Sequence, residues 1–447
     1  MVTEANTFES LKATKSLNWH KWSAAYTAVA VCVVSIAITT LFRTVLPNRY
    51  VADQRTDYRT FYSPVAQNIL NGRGIVLHDE PATTFPPGYP LLLAGIFTAS
   101  HWLNIPAYVG ASAANVIGMA LVSLFIFLLA RLLFGPLAAL ISSAAWMTYP
   151  FALWLTKQPN SEIPFMVVLY GGLYLFFYLL LRKTGSWPLF FICGLIFGFA
   201  MLIRPIAIGL GFALAGVIWL LAREMTARFR TLLISMLLLG SLVAVLPWEM
   251  WVYAKTGEII SVSSSGAQNM REGVIFAVNG SDYRPQRGVS PDIERVMNDI
   301  LKRPSELISV RGIVSVVAAE FHVHPIAVAK LYLLKAARSW YGTDSRQQES
   351  LILLVQLGYL LPLLWCARRL WRPNEMSRKI VVSILLLVIY FWGMTILVNS
   401  TLRYMLPVTG ILFLLIGAGI ARPGSRTSKQ VFAEANPAMD ASNAASA

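Results

Sequence analysis

Long apolar runs alternate with short polar segments along most of the chain. A membrane-spanning α-helix needs about 20 apolar residues, and many of the runs reach that length. The pattern predicts about ten spans, at about 22–41, 107–134, 136–156, 162–181, 187–203, 205–222, 230–249, 350–367, 380–399 and 405–421. We therefore expect an all-α polytopic membrane protein whose transmembrane domain occupies residues 22–421.

Basic residues cluster at one end of most predicted spans and indicate the orientation of the chain. Loops on the cytoplasmic side are enriched in Lys and Arg, so both termini and the basic short loops are expected inside. Residues 1–21 are then a cytoplasmic N-terminus, and residues 422–447 are a cytoplasmic tail whose polar composition predicts disorder. The two large loops, 47–105 and 250–348, lie on the opposite side.

Composition supports the membrane assignment. The chain is 56% hydrophobic and 13% charged, whereas soluble domains average about 25% charged residues. The net charge of +15 does not indicate a nucleic-acid partner, because most basic residues lie at span ends. The three cysteines all fall within apolar runs, so their positions predict neither a disulfide nor a metal site.

The first large loop has a helical pattern of its own. Apolar residues recur on one helical face at Tyr58, Phe61, Tyr62, Val65, Ala66, Ile69 and Leu70. This spacing predicts an amphipathic helix in the membrane interface, kinked or restarted at Pro64 and ended by Asn71-Gly72. The segment PPGYPLLLAGIFTASHW is short for a span and predicts a second interfacial or re-entrant helix. Asp57 would stand at the start of the first helix.

Several landmarks along the chain together resemble a known superfamily. They are Asp57 opening the loop helix, Gly72-x-Gly74, PPGYPLLLA, Glu162, GFAMLIRP (198–205), LPWEMWVYAKTGEIISVSSSGAQNM (246–270) and RYMLPV (403–408). In this order they resemble the GT-C polyprenyl-phosphate-sugar glycosyltransferases. That superfamily includes the protein O-mannosyltransferases, the lipid A aminoarabinose transferases and the rhizobial core-oligosaccharide transferases. The resemblance implies a GT-C-like bundle with interfacial helices in the first periplasmic loop.

The resemblance also implies an activity. A hexosyl or pentosyl group would pass from a polyprenyl-phosphate carrier to a hydroxyl of a periplasmic or cell-surface glycan, lipid or protein. The phosphate is a good leaving group, so the protein must supply a base for the acceptor and positive charge for the phosphate. Asp57 is the expected base, giving inversion by direct displacement. The alternative for Asp57 is a purely structural helix cap.

Two further acids are candidates for the catalytic machinery. Glu162 begins a predicted span, where a carboxylate is also favoured by the helix dipole alone. Glu80 could replace a second acid, because the lipid A branch has Glu-Lys before its Pro-Pro where this chain has Thr84-Phe85. The alternative for Glu80 is an acidic loop turn.

Basic residues near the outer ends of spans are candidates for holding the donor phosphate. Guanidinium matches phosphate in a bidentate geometry, whereas the alternative is that these side chains extend to lipid headgroups. The predicted substrate-binding residues are Arg59, Arg204, Lys335, Arg338, Arg403 and Tyr404.

No metal cofactor is expected, because the spacing of His322 and His324 matches neither a helical metal pair nor a zinc motif. The expected location is the bacterial inner membrane, with the site facing the periplasm and in contact with membrane lipid. Two other classes remain open. An O-antigen-type ligase or polymerase would not depend on Asp57, and a flippase for lipid-linked sugars would show polar residues at mid-span depth and matched broken helices.

Overall fold

The computed structural model describes residues 25–47, 56–182, 186–279, 289–343, 346, 348–371 and 375–421. The predictions for residues 1–21 and 422–447 lie outside these residues. The described chain is built from α-helices with one short hairpin. The helices are α1 (Ala25–Val45), α2 (Ser63–Leu70), α3 (Gly88–Trp102), α4 (Ala107–Phe134), α5 (Pro136–Met147), α6 (Pro150–Leu155), α7 (Glu162–Leu181), α8 (Trp187–Ile203), α9 (Leu210–Leu221), α10 (Ala227–Thr256), α11 (Gly266–Val278), α12 (Pro291–Leu301), α13 (Val310–Val323), α14 (Pro325–Arg338), α15 (Glu349–Leu370), α16 (Glu375–Leu397) and α17 (Leu402–Ile420).

Seven of these helices are long and apolar enough to cross a membrane: α1, α4, α7, α10, α15, α16 and α17. Three shorter apolar helices, Pro136–Met147, Trp187–Ile203 and Pro205–Leu221, occupy the other predicted span positions. The predicted all-α polytopic architecture is thus confirmed. One predicted span, 136–156, is broken into α5 and α6 because Pro150 starts a new helix after Tyr149, which is extended.

Basic residues meet at one end of the helical bundle. Arg131 and Arg182 both act electrostatically on Tyr174, and Arg223 and Arg378 both act on Glu375. These four arginines come from different predicted inner loops. One cavity is lined by Leu180, Leu181, Leu221 and Met376, so the end of α7, the end of α9 and the beginning of α16 lie together. Glu162 begins α7 and therefore lies at the opposite end of that helix.

Helices α8 and α10 pack with their backbones in close contact. A Cβ atom on Gly194 would lie 2.2 Å from the carbonyl oxygen of Leu237, and one on Gly240 would lie 2.2 Å from that of Phe191. The Ser241 hydroxyl donates to the Gly194 carbonyl across the same contact, at 3.1 Å. Small residues that permit such an approach are typical of helix pairs in membranes. The contact fixes α8 and therefore the position of Arg204 at its end.

The first loop folds around aromatic contacts. Residues Tyr58–Tyr62 form a π-helix that continues into α2. The predicted amphipathic helix is present, and its apolar face packs on protein: Tyr62 contacts Tyr89 of α3, and Phe61 contacts Phe85. Strands β1 (Val76–Leu77) and β2 (Glu80–Pro81) then pair as an antiparallel hairpin.

The second loop forms a helical unit with its own core, made by α11, α12, α13 and α14. This unit rests on the turn that joins α16 to α17. A Cβ atom on Gly273 would lie 1.8 Å from the Val398 carbonyl oxygen, and the Leu402 amide donates to the Gly342 carbonyl at 2.9 Å. We call residues 398–402 the seat of the second loop.

Candidate active site

Four segments that are distant in sequence bring charged side chains together at one end of the bundle. Asp57 directly precedes the π-helix, Glu162 is the first residue of α7, Arg204 follows the last residue of α8, and Arg403 is in the first turn of α17. Helix α17 is the most enclosed of the seven candidate spans. The group of Asp57, Glu162, Arg204 and Arg403 is called the charge cluster below.

Glu162 is the centre of the charge cluster. Its side chain is only 1% exposed, and Arg204 Nη1 lies 2.8 Å from its Oε1. Arg403 Nε also donates to that Oε1 atom. The other carboxylate oxygen, Oε2, is buried and has no hydrogen-bond partner among the described residues. A buried carboxylate requires compensating charge, which the two guanidinium groups supply. Glu162 in turn fixes the positions of both arginine side chains.

Local sequence explains why α7 begins where it does. The side-chain oxygen of Asn160 accepts hydrogen bonds from the backbone amides of Glu162 and Ile163, at 3.1 and 3.2 Å. These amides belong to the first turn of α7 and have no partner within the helix. The cap therefore fixes the backbone that carries Glu162.

Arg204 makes two more contacts besides the one with Glu162. Its Nη1 donates to the Ser161 hydroxyl at 3.0 Å, and its guanidinium carbon lies 5.2 Å from the centre of the Tyr404 ring. Pro205 explains why Arg204 ends α8, because the residue before a proline avoids helical geometry and Arg204 is extended. Tyr404 thus lies next to the charge cluster, and its role in substrate binding stays a prediction.

Asp57 forms the exposed side of the charge cluster. Its side chain is 50% exposed, and Oδ2 lies 3.9 Å from Arg403 Nη2. The carboxylate makes no capping hydrogen bond to the helix that it precedes. The structural alternative for Asp57, a helix cap, is therefore not what its side chain does in this conformation.

Two neighbours of the cluster were not singled out from the sequence. Burial raises the pKa of Tyr62 above its ordinary value, and its hydroxyl bonds to Ser161. Burial also lowers the pKa of Lys157, and the positive charge of Arg403 lowers it further. For Lys157 the sequence contains a usable signal, the turn KQPNSE. In this turn an Asn stands two residues before the start of a helix, and the lysine stands three residues before that Asn.

Gly88 accounts for the PPGYP motif of the first loop. A Cβ atom at this position would lie 2.6 Å from the carbonyl oxygen of Leu202, in the last turn of α8. Only glycine allows α3 to begin this close to the α8 backbone. The PPGYP motif thus allows α3 to pack closely against the end of α8, next to Arg204.

The structure does not bring Glu80 into the charge cluster. Glu80 is exposed in β2, after a two-residue turn in which His78 and Asp79 have positive φ values of 52° and 65°. In the described part of the chain its carboxylate has no ion pair. Glu80 therefore belongs to an acidic loop turn, which was the alternative interpretation of this residue.

Two of the predicted phosphate-binding residues, Lys335 and Arg338, have partners other than Glu162. Arg338 is buried and forms a bidentate pair with Glu349, at 2.7 and 2.9 Å. Lys335 is buried, and its ammonium group lies 3.4 Å from the carbonyl oxygen of Leu397. Burial lowers the pKa of Lys335 to about 7. Arg59 is exposed on the π-helix.

One group of possible metal ligands lies in the second loop. The ligand atoms of Asp299, Glu320 and His324 are within 4.8 Å of one another. Both carboxylates already pair with basic side chains at 2.7 Å, Asp299 with Lys302 and Glu320 with Arg303. The spacing of His322 and His324 did not predict a metal site, and only His324 belongs to this group. The expectation that no metal is needed stays a prediction.

Comparison with known proteins supports the resemblance found in the sequence. Residues 86–251 match the model of the dolichyl-phosphate-mannose-protein mannosyltransferase family. The matched segment runs from the PPGYP motif into α10 and contains both Glu162 and Arg204. No curated protein matches the chain.

Solved structures resemble almost the whole chain. ArnT from Cupriavidus metallidurans, solved bound to undecaprenyl phosphate, is 15% identical with a TM-score of 0.54, and the alignment covers 91% of this chain and 62% of ArnT. The oligosaccharyltransferase AglB from Archaeoglobus fulgidus, solved with an inhibitory peptide and a dolichol-phosphate, is 15% identical with a TM-score of 0.56, covering 95% of this chain and 52% of AglB. The apo form of the Archaeoglobus fulgidus oligosaccharyltransferase gives 16% identity and a TM-score of 0.53, covering 88% of this chain and 50% of that one.

These findings define a polytopic membrane protein with the GT-C fold of glycosyltransferases, as the sequence resemblance predicted. Within that class, residues 86–251 carry the signature of the mannosyltransferase family named above. The chain spans about three fifths of the length of ArnT and about half the length of AglB.

Proposed function

We propose that the protein is a glycosyltransferase that moves a hexosyl or pentosyl group from a polyprenyl-phosphate carrier to a hydroxyl group. The acceptor would be a periplasmic or cell-surface glycan, lipid or protein. The observation that carries this proposal is the half-exposed carboxylate of Asp57, 3.9 Å from Arg403, at the open side of a charge cluster whose centre is buried. The family match and the fold of lipid-phosphate-binding relatives support the same reaction class.

The proposed chemistry is a single displacement. The acceptor oxygen attacks the anomeric carbon while the bond from that carbon to the phosphate oxygen breaks. The acceptor proton passes to Asp57, and the bonding electron pair leaves with the phosphate, so the anomeric centre is inverted. A well-placed base of this kind contributes about 10²–10⁴ in rate.

The arginines of the cluster would take up the charge of the leaving phosphate. Arg403 is suited to this role because its side chain is 42% exposed while its Nε is held by Glu162. Arg204 is more enclosed and would act with Tyr404, whose ring it faces. Preorganised positive charge in an enclosed site stabilises developing negative charge without reorganisation.

Glu162 has a different role in this proposal from that of a proton acceptor. Its Oε1 atom accepts from both arginines, so a proton there would weaken the two contacts. We assign it as a positioning residue that fixes both guanidinium groups. Glu80 has no part in the step at its present location, and Arg59 is placed to meet the donor from the exposed π-helix.

The proposal includes the setting of the reaction. The protein would lie in the bacterial inner membrane with the charge cluster facing the periplasm, where the lipid-linked donor and a water-borne acceptor meet. Lys335 and Arg338 have partners other than Glu162, and Arg338 is paired with Glu349. Their contribution to donor binding would therefore be indirect, through the seat of the second loop.

The decisive experiment is transfer from a polyprenyl-phosphate sugar in membranes containing Asp57→Asn. A loss of at least 10²-fold is expected if the carboxylate is the base. Asp79→Asn is the matched control, because Asp79 is exposed in the same loop and its positive φ is tolerated by Asn. Transfer at the wild-type rate by normally inserted Asp57→Asn would overturn the proposal.

The same assay tests the proposed independence from metals. Wild-type transfer is expected to be unchanged after treatment with a chelator, because the donor phosphate would be neutralised by arginine. Loss of transfer that added divalent cation restores would contradict this part and direct attention to Asp299, Glu320 and His324.

A further inference from the structure

Helices α13 and α14 of the second loop each expose an apolar face. On α13 the exposed residues include Val310, Val314 and Phe321, which recur at helical spacing. On α14, Ile326 and Leu333 are 71% and 70% exposed. Helices at a water-facing surface normally carry polar residues at such positions.

The opposite faces of the same helices are apolar and already packed. Ile313 and Val316 of α13, and Val328 and Leu331 of α14, are buried in the core of the second loop. The exposed apolar residues are therefore not needed to form the core of this unit. A second apolar face of this size needs an environment other than water.

Contacts with α16 give the depth at which α14 lies. The indole N–H of Trp392 donates to the Ala336 carbonyl at 3.0 Å, and the rings of Trp340 and Trp392 are 5.8 Å apart. Trp392 is five residues before the end of α16 at Leu397, which places it about 7.5 Å inside that end at 1.5 Å per residue. The last turn of α14 thus lies beside a membrane-spanning helix rather than above it.

The end of α14 adjoins a span that also exposes apolar residues. Leu333 is one turn before Ala336, and Ile389 and Leu397 of α16 are themselves exposed apolar residues at this end. Tryptophan is enriched at the boundary between hydrocarbon and headgroups, which agrees with the pair formed by Trp340 and Trp392.

Few charged side chains lie near the exposed apolar faces. On α14, Lys330 lies between Ile326 and Leu333 on the exposed face, and its ammonium group is paired with Asp292 at 2.7 Å. Arg311 and His322 are exposed on α13. Basic groups at the edge of an apolar helix face are suited to lipid headgroups, with the apolar residues below them.

We propose that α13 and α14 form a membrane-inserted helix pair, whose exposed apolar faces lie among the acyl chains of the leaflet next to the charge cluster. The occupant of this surface is lipid, and the inference is independent of the proposed activity. Insertion would hold the second loop at a fixed depth and keep its seat at the membrane surface.

The test uses the full-length protein in liposomes, with a single environment-sensitive nitrobenzoxadiazole label. Labels are placed at Ile326→Cys and Leu333→Cys in a background whose native cysteines are replaced. Asn298→Cys is the control, since Asn298 is exposed on the polar side of α12 in the same unit. Quenching is measured with a doxyl-labelled lipid and with aqueous iodide.

The labels at positions 326 and 333 are expected to emit at shorter wavelength and to be quenched by the doxyl lipid. The label at 298 is expected to be quenched mainly by iodide. Equal iodide quenching at all three positions would overturn the proposal. Protection of 326 and 333 from both quenchers would overturn it as well, because a second copy of the chain would then cover the surface.

Discussion

Arg204 Nη1 lies 2.8 Å from Glu162 Oε1 and joins the end of α8 to the beginning of α7. The same carboxylate oxygen receives Arg403 from α17, so three spans meet at one atom. The arrangement places two positive charges beside the exposed Asp57 while keeping the net charge of the four residues at zero. In the proposed reaction, the donor phosphate would bind by competing for guanidinium groups that are already positioned.

Removing the charge of Glu162 is expected to harm both stability and transfer. In Glu162→Gln the two guanidinium groups lose their shared counter-charge, and breaking a buried pair costs about 3–5 kcal/mol. Thermal unfolding in detergent should show a clearly lower Tm, and transfer should fall with it. Glu258→Gln, at an exposed site after α10, is the control and should behave as wild type. An unchanged Tm for Glu162→Gln would show that the arginines do not depend on it.

Replacing Arg403 by lysine tests whether the guanidinium fork matters beyond its charge. Arg403 reaches Glu162 through Nε and Asp57 through Nη2, and an ammonium group cannot occupy both positions. Loss of one charge-assisted hydrogen bond costs about 1.5–3 kcal/mol, so kcat/KM should fall roughly tenfold to hundredfold. Steady-state transfer kinetics measure this, with the exposed Arg73→Lys as control. Equal kcat/KM values in the two variants would count against the role assigned to Arg403.

Gly88→Ala is expected to displace the end of α8. The new Cβ atom would stand 2.6 Å from the Leu202 carbonyl oxygen, which is backbone and cannot turn away. Both Tm and transfer should fall, because Arg204 is two residues beyond Leu202. Gly95→Ala in the same helix has no atom within 4 Å of its Cβ and should be stabilising by about 0.5–1 kcal/mol. Similar behaviour of the two variants would show that the close contact at Gly88 is unimportant.

Lys335 is expected to make stability depend on pH. Its pKa is lowered by burial from 10.5 to about 7, so between these values the unfolded chain binds a proton that the folded chain does not. Stability should therefore rise with pH across this window, and the cost of burying the charge should be fully present below about pH 7.

Lys335→Met removes that cost. Its Tm should exceed the wild-type value at pH 6–7, and the difference should shrink towards pH 10. Lys302→Met, at a largely exposed lysine, is the control and should show no such dependence. A Tm difference for Lys335→Met that stays constant over this pH range would contradict the lowered pKa.

The sequence was sufficient to predict the helical membrane architecture, because a span is recognised from its own apolar length. It also predicted Asp57, Glu162, Arg204, Arg403 and Tyr404 as site residues, since each stands at a span end or loop start marked by the family landmarks. The structure brings these five together. The roles proposed for them depend on contacts between helices, which no local sequence pattern reports.

The remaining differences have physical causes that periodicity does not report. The first loop helix was predicted from its apolar face, but periodicity did not identify Phe85 and Tyr89 as the aromatic partners that cover that face. An apolar stripe predicts that one face of a helix is buried, but it does not identify whether protein or lipid covers that face. Arg338 was grouped with the phosphate-binding arginines, yet Glu349, eleven residues later, folds back to it. Such a pairing depends on a turn whose geometry the residue types do not specify.

The seat of the second loop determines the order in which the protein can be assembled. Residues 398–402 are synthesised after the second loop, which rests on them through Gly273 and Gly342. The contacts between the second loop and its seat can therefore form only when the turn between α16 and α17 has been made. Arg403 arrives with the same hairpin, so the charge cluster and the support of the second loop are completed in one late step of biogenesis.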